Sequence, residues 1–349
     1  MNELIPAGLD AQALWLPVIF LLLMGIAVLA YVILDGYDLG VGVLLRHADA
    51  EQQDIMVASI GPFWDANETW LVLGVALLLV AFPHANGVIL TSLYLPVALM
   101  LFGLILRGVA FDFRIKASAD HKPLWNRTFC FASLLAAFAQ GLMLGGLITG
   151  FAEGALPVLF STFVGLCLAS AYTLLGACWL IMKTDGALQA LSIRWARQAL
   201  WLALCGIIAV SLATPLVSKH IFNKWFALPN ILLLAPIPLV TAGLFVVTRL
   251  FLRRLAQDAA DANQRGLHRW CWAPFACVVV IFILSFIGLG YSLFPYLVID
   301  RITIWQAAAA PESLMVILIG AVIVLPAIIA YNIFTYRVFW GKATNLHYG

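Results

Sequence analysis

The sequence predicts an all-α, polytopic integral membrane protein with about nine transmembrane helices. Three observations carry that prediction. Hydrophobic residues fill 64% of the 349 positions and charged residues only 10%, where ordinary globular domains run at about 45–50% and about 25%. The mean hydropathy is +1.03. The apolar residues also gather into nine runs close to the roughly 20 residues that a spanning helix needs, and Lys and Arg fall mostly between them. The core of such a chain forms between helices, not beneath a water-facing shell, and residues 1–349 read as a single membrane domain.

The first ten residues, MNELIPAGLD, hold Glu3 and Asp10 and no Lys or Arg, so they lack the cationic region of a signal peptide. The first run covers 14–34 and is read as continuing through the glycine-rich DGYDLGVGVLL to Leu45, with Arg46 just beyond. The second covers 63–82. The third covers 88–109, and Arg107, Arg114, Lys116, Lys122 and Arg127 lie at its end or in the loop that follows. The fourth (129–150) and fifth (156–182) lead to Lys183, Arg194 and Arg197; the sixth (198–217) leads to Lys219 and Lys224. The seventh (229–250) carries Arg249 at its end, and Arg253, Arg254, Arg265 and Arg269 follow it. The eighth is 274–293, followed by Arg301, and the ninth is 313–336, followed by Arg337 and Lys342. With the N-terminus outside, only Lys219, Lys224 and Arg301 fall on the outer side, so 16 of the 19 Lys and Arg (19 − 3) are inside. The positive-inside rule therefore predicts an N-out, C-in topology. An odd helix number disfavours two equal inverted repeats, and no repeat of solenoid period is present. The two longest inner loops, 117–127 and 253–269, have room for short interfacial helices but not for a soluble domain.

The formal charge of +2 and the lack of a basic tract interleaved with aromatics argue against nucleic-acid binding. Six cysteines (Cys130, Cys167, Cys178, Cys205, Cys271, Cys277) sit mostly inside apolar runs with no CxxC pair and read as small hydrophobes. All six histidines (His47, His84, His121, His220, His268, His347) fall in loops, at helix ends or in the tail. Haem ligation by His needs a side chain facing the bundle interior, and no predicted helix offers a central one. No P-loop, EF-hand or zinc spacing occurs. The chain alone is therefore expected to bind neither haem nor metal.

Chemistry is expected where carboxylates enter apolar runs. Tyr31–Gly42 (YVILDGYDLGVG) carries Asp35 and Asp38, and Gly61–Trp70 (GPFWDANETW) carries Trp64, Asp65 and Glu68. Carboxylates at or within the hydrocarbon zone are costly unless paired, protonated or hydrated, and so mark functional positions. Three-residue spacing puts Asp35 with Asp38, and Asp65 with Glu68, on shared helix faces. Gly36 and Gly40 form a small-xxx-small pattern that admits a close neighbour. In the predicted topology these residues and Arg107 gather at the inner face, which suits proton uptake from the cytoplasm. A purely structural reading stands beside this: acids at a helix start complement its dipole, Arg107 pairs with Asp38 or Asp65, and Trp64 anchors at the interface. Asp112 and Arg114 read as ordinary interfacial charges.

On these residues the chain resembles subunit II of the cytochrome bd family of quinol oxidases. The resemblance rests on YVILDGYDLGVG with the following LLR, on GPFWDANETWLV, and on RGVAFDFR from Arg107 to Arg114, in the expected order. It is densest over about the first 130 residues; beyond them it rests on hydropathy and length. The resemblance implies a haem-free subunit of the bacterial inner membrane, inert alone, paired with a larger subunit I that holds haem b and haem d, with room for a small single-helix third subunit. The complex it implies oxidises a quinol and reduces dioxygen to water, drawing protons from the cytoplasm. Matched by motif, Asp65 lies at the mouth of the proton pathway with Asp35 beside it, and Asp38 and Arg107 influence the haem environment. The resemblance also implies a structural quinone in an apolar cleft of subunit II, for which no residues are assignable. One position departs from the family pattern: WDAN stands where WDGN is usual, and Ala66, a better helix former than Gly, predicts a more rigid start to the second helix. A proton-coupled secondary transporter would use the same carboxylates, but it calls for a converging polar site at mid-membrane, and Gln140, Ser170 and Ser285 read as scattered. A purely structural scaffold would leave the acidic motifs unexplained.

Overall fold

The computed structural model describes residues 10–118, 120–261 and 264–343, with the side chain of Gln264 excepted; Glu3 and His347 lie outside the described residues. In chain order the helices are α1 (Ala11–Leu44), a 3-10 turn (Leu45–His47), α2 (Ala50–Ile60), α3 (Trp64–Ala81), α4 (Pro83–Ser92), α5 (Tyr94–Lys116), α6 (Lys122–Ile148), α7 (Ala155–Lys183) and α8 (Gly186–Val217). They continue with α9 (Lys219–Phe226), α10 (Asn230–Leu234), α11 (Pro236–Ala260), α12 (Gln264–Trp270) and α13 (Ala273–Leu293). An antiparallel ribbon of β1 (Tyr296–Val298) and β2 (Ile302–Thr303) follows, then α14 (Ile304–Ala307) and α15 (Pro311–Val338). Among the described residues nine helical spans are long and apolar enough to cross a membrane: α1, α3, α5, α6, α7, α8, α10 with α11, α12 with α13, and α15. The all-α expectation holds, with the small ribbon as its one addition.

Several boundaries differ from the hydropathy reading, for physical reasons. The first helix does run on to Leu44, so Asp35 and Asp38 lie inside it and not at its end. The run at 88–109 is two helices: α4 starts on Pro83, the chain breaks at Leu93, and α5 continues to Lys116. Hydropathy stops near Arg107, but Arg107 and Arg114 are both buried against polar partners, so α5 continues past them. The sixth helix starts 12 residues early, at Gly186 rather than 198. Its first turns dock on α7, where Gln189 Nε2 donates to the Ile181 carbonyl at 2.8 Å. The inner loops at 117–127 and 253–269, read as having room for short helices, are largely helix: α12 is such a helix, and the adjoining spans run in, with α6 starting at Lys122 and α11 reaching Ala260.

Helix α1 lies at the centre, in contact with α3, α6, α7, α13 and α15. Its approach to α7 is set by glycine. A Cβ on Gly40 would fall on the Tyr172 carbonyl, and one on Gly176 would fall on the Gly40–Val41 backbone. Tyr37 then stacks on Trp179 with ring centroids 4.0 Å apart. Helix α15 is peripheral, burying only Leu314, Asn332 and Thr335. It is held at its C-terminal end, where Tyr336 stacks on Phe63 at 4.7 Å and Lys183 Nζ donates to the carbonyls of Phe339 (2.7 Å) and Gly341 (3.1 Å).

Candidate functional site

The site lies where α1, α3 and α5 meet. Arg107 Nη2 donates to Asp35 Oδ1 at 2.6 Å and to Glu68 Oε1 at 2.5 Å. The side chains of Arg107 and Asp35 are 1% and 0% exposed, whereas Glu68 is 32% exposed, so Glu68 joins the buried pair to the surface. Arg107 Nε and Nη1 and Asp35 Oδ2 have no hydrogen-bond partner among the described residues. Trp64 covers the guanidinium, whose carbon lies 5.9 Å from the ring centroid, and packs on Phe111 at 5.1 Å. Arg107 therefore pairs with Asp35 and Glu68, not with Asp38 or Asp65 as the structural reading expected. Asp65 itself is exposed, in the first turn of α3 beside buried Ala66. Asp65 and Glu68 are three residues apart, yet only Glu68 reaches the arginine.

Asp38 lies three residues beyond Asp35 on α1 and is fully buried. Its Oδ2 accepts from Asn67 Nδ2 at 2.8 Å, and its Oδ1 has no partner among the described residues. Asn67 Nδ2 also lies 2.9 Å from the Tyr37 hydroxyl, and its Oδ1 accepts from the Tyr336 hydroxyl at 3.2 Å; the two tyrosine hydroxyls are 2.6 Å apart. On the opposite side of Asp35, Tyr31 sits one turn earlier on the same face of α1. Gln140 Nε2 donates to the Tyr31 hydroxyl at 2.9 Å, and the Tyr172 hydroxyl donates to Gln140 Oε1 at 2.7 Å. All three are buried. Gln140, which read as scattered, thus belongs to a converging polar set, while Ser170 only returns its hydroxyl to the Leu166 carbonyl.

Sequence reasoning missed Asn67, Tyr31, Tyr37, Tyr172 and Tyr336. Asn67 had a signal, since it lies inside the acidic motif, and Tyr31 and Tyr37 bracket Asp35 and Asp38. Tyr172 and Tyr336 come from distant helices and had none. Arg114 is corrected: it is no ordinary interfacial charge but is buried, with Nη2 2.6 Å from Asp54 Oδ1 and Nε 2.5 Å from Asn126 Oδ1. Asp112 is exposed, as an interfacial charge would be. Outside the spans, half-buried Lys224 donates to the Phe294 carbonyl, and burial lowers its ammonium to about 8.

Two buried carboxylates, one partly exposed carboxylate and one guanidinium meet here, so the group has more acidic side chains than cations. Among the described residues no group of three or more His, Cys, Asp or Glu is arranged to hold a metal ion.

A family profile described as cytochrome bd terminal oxidase subunit II matches residues 16–339. The chain belongs to that family. As a subunit II it has a subunit I for a partner. It is 27% identical over 355 residues to cytochrome bd ubiquinol oxidase subunit 2 of Bacillus subtilis, covering 94% of this chain and 96% of the relative. It is 24% identical over 374 residues to cytochrome bd-I ubiquinol oxidase subunit 2 of Escherichia coli, covering 94% and 95%. The bd oxidase of Geobacillus thermodenitrificans has a chain of the same fold, with a TM-score of 0.76 at 17% identity over 93% of this chain and 98% of that one. The three motifs that carry the site in this subunit II all fall within the matched span.

Proposed function

We propose that this subunit II supports a haem-bearing subunit I in oxidising a quinol and reducing dioxygen to water, and that it brings protons to the partner from the cytoplasm. The observation that carries the proposal is the Asp35–Arg107–Glu68 constellation: a buried ion pair in the spanning region, opened toward the surface by one half-exposed carboxylate. The end of the bundle rich in Lys and Arg faces the cytoplasm of a bacterium, with the N-terminus outside, in keeping with the positive-inside rule. Protons enter at exposed Asp65, pass to Glu68 and reach Asp35, where Arg107 holds the carboxylate in place. Asp38, fixed by Asn67, shapes the field on the partner's side, and Trp64 shields the guanidinium from lipid and water.

Haem b and haem d reside in the partner. The placement of the described histidines supports this, because His47, His84, His121, His220 and His268 lie in short helices or turns or at helix starts, not at the centre of a span. The quinol substrate, any structural quinone and any small third subunit belong to the assembled complex.

The test is purification through a tag on this chain in mild detergent, with a reduced-minus-oxidised spectrum and a quinol oxidase assay. A larger second band with haem b and haem d absorption and oxidase activity is expected. A colourless chain that transports a solute alone, from membranes lacking oxidase activity, would overturn the reading.

A further inference from the structure

Three arginines away from the proton site converge on one cleft. Arg197 of α8 and Arg249 and Arg253 of α11 line a hollow of about 60 Å³, together with Trp201, Leu200 and Leu252. Leu200 and Leu252 are buried and form an apolar floor, while the arginines and Trp201 are exposed. The Arg249 guanidinium carbon lies 4.9 Å from the Trp201 ring centroid. Among the described residues none of the three arginines has a carboxylate within ion-pair distance. Lone arginines at a span's end ordinarily reach individually into water. Three of them from two helices, around a shared hollow with an aromatic edge, concentrate positive charge at one point.

We propose that this cleft binds the phosphate of an anionic phospholipid from the leaflet at the basic end of the bundle. Basic pockets between spanning helices are suited to such headgroups. The hollow is far smaller than the about 300–1,000 Å³ of small-molecule pockets, so it takes a phosphate and not a quinone or a nucleotide. The acyl chains have somewhere to lie: Val246, Leu250 and Leu202 leave an exposed apolar flank on the same two helices. A free phosphate shares the headgroup chemistry but would gain nothing from that flank. A larger hollow of about 550 Å³, lined by Arg265, His268, Arg269 and Asp185, fits an anion less well because it contains a carboxylate. The proposal does not depend on the proton-uptake reading.

The assembled oxidase, held in a neutral detergent, would be titrated with phosphatidylglycerol brominated on its acyl chains while tryptophan emission is followed. Brominated phosphatidylcholine and inorganic phosphate, at matched ionic strength, serve as comparisons. Phosphatidylglycerol is expected to quench a fraction of the emission at lower mole fraction than phosphatidylcholine does, and that fraction should be missing in Trp201→Phe. Arg197→Gln, Arg249→Gln and Arg253→Gln should each weaken the selective quenching about five-fold, the equivalent of about 1 kcal/mol per cation at a membrane surface. Arg194→Gln, an exposed arginine outside the cleft, should leave it unchanged. Arg249→Lys keeps the charge and checks that any loss is not one of folding. Equal quenching by the two lipids would overturn the site, and so would equal weakening by Arg194→Gln. Protection of Trp201 by inorganic phosphate alone, at concentrations where chloride has no effect, would overturn the lipid assignment.

Discussion

Arg107 Nη2 lies 2.6 Å from Asp35 Oδ1 across 72 positions of sequence, and both side chains are essentially inaccessible. Breaking a buried pair by removing one partner leaves an uncompensated charge and costs about 3–5 kcal/mol. Arg107→Ala is therefore expected to lower the yield of assembled complex and to shift the haem optical bands. Arg107→Lys should recover part of the yield, but a point charge does not reproduce the planar donor fork. Wild-type yield and an unaltered spectrum for Arg107→Ala would mean that neither assembly nor the haem environment depends on the pair.

Glu68 is the exposed arm of the same constellation, and Asp65 sits one turn outside it. If they deliver protons, Glu68→Gln and Asp65→Asn should slow quinol oxidation while haem content stays intact. The deficit should grow as pH rises and protons become scarce. A positioned group that transfers protons typically contributes about 10²–10⁴-fold; Glu68→Gln should show the larger loss, because Glu68 touches Arg107 and Asp65 does not. Turnover matching the wild type across pH in both variants would end the proton-entry reading.

Much of this site is legible in the sequence. Asp35, Asp38, Glu68 and Arg107 stood out because ionisable groups are rare in apolar runs, and the Gly36/Gly40 spacing announced a close neighbour. Pairing was not legible. Nothing local told Arg107 to choose Asp35 over Asp38, since the choice depends on how α1 rotates against α5. Tyr172 and Tyr336 were invisible for the same reason: a tyrosine in an apolar run looks like core until a distant hydroxyl acceptor arrives. Arg114 misled because its partner Asp54 lies on α2, whose capping box of Asp49 and Gln52 went unread. Hydropathy sees the lipid-facing middle of a span and misses the polar ends that partners bury.

Gly40 tests the close crossing of α1 and α7. An added Cβ would meet the Tyr172 carbonyl, a backbone atom that cannot swing aside. Overpacking of this kind typically costs about 1–3 kcal/mol. Gly40→Val is expected to lower the thermal midpoint of the complex and to disturb the Tyr31–Gln140–Tyr172 set that hangs on that carbonyl's residue. Gly87→Ala is the control, because a Cβ there meets nothing within 4 Å. Equal midpoints for the two variants would mean that α7 stands off farther than described.

Asn67 decides whether Asp38 has a role of its own. Among the described residues it supplies the one side-chain hydrogen bond to that carboxylate, at 2.8 Å, and it holds the Tyr37–Tyr336 hydroxyl pair that pins α15 to the bundle. Asn67→Leu keeps the volume roughly constant and removes every polar contact, so Asp38 is left buried without a donor. Stranding such a group costs about 1–3 kcal/mol, and more when it is charged. Tyr336→Phe separates the two duties, because it loosens the hold on α15 and leaves the Asn67–Asp38 bond in place. If Asp38 acts on the haem environment, Asn67→Leu should shift the haem bands and Tyr336→Phe should only lower the thermal midpoint. If both variants lower the midpoint and neither moves the spectrum, Asp38 and Asn67 are a structural pair with no part in the haem environment.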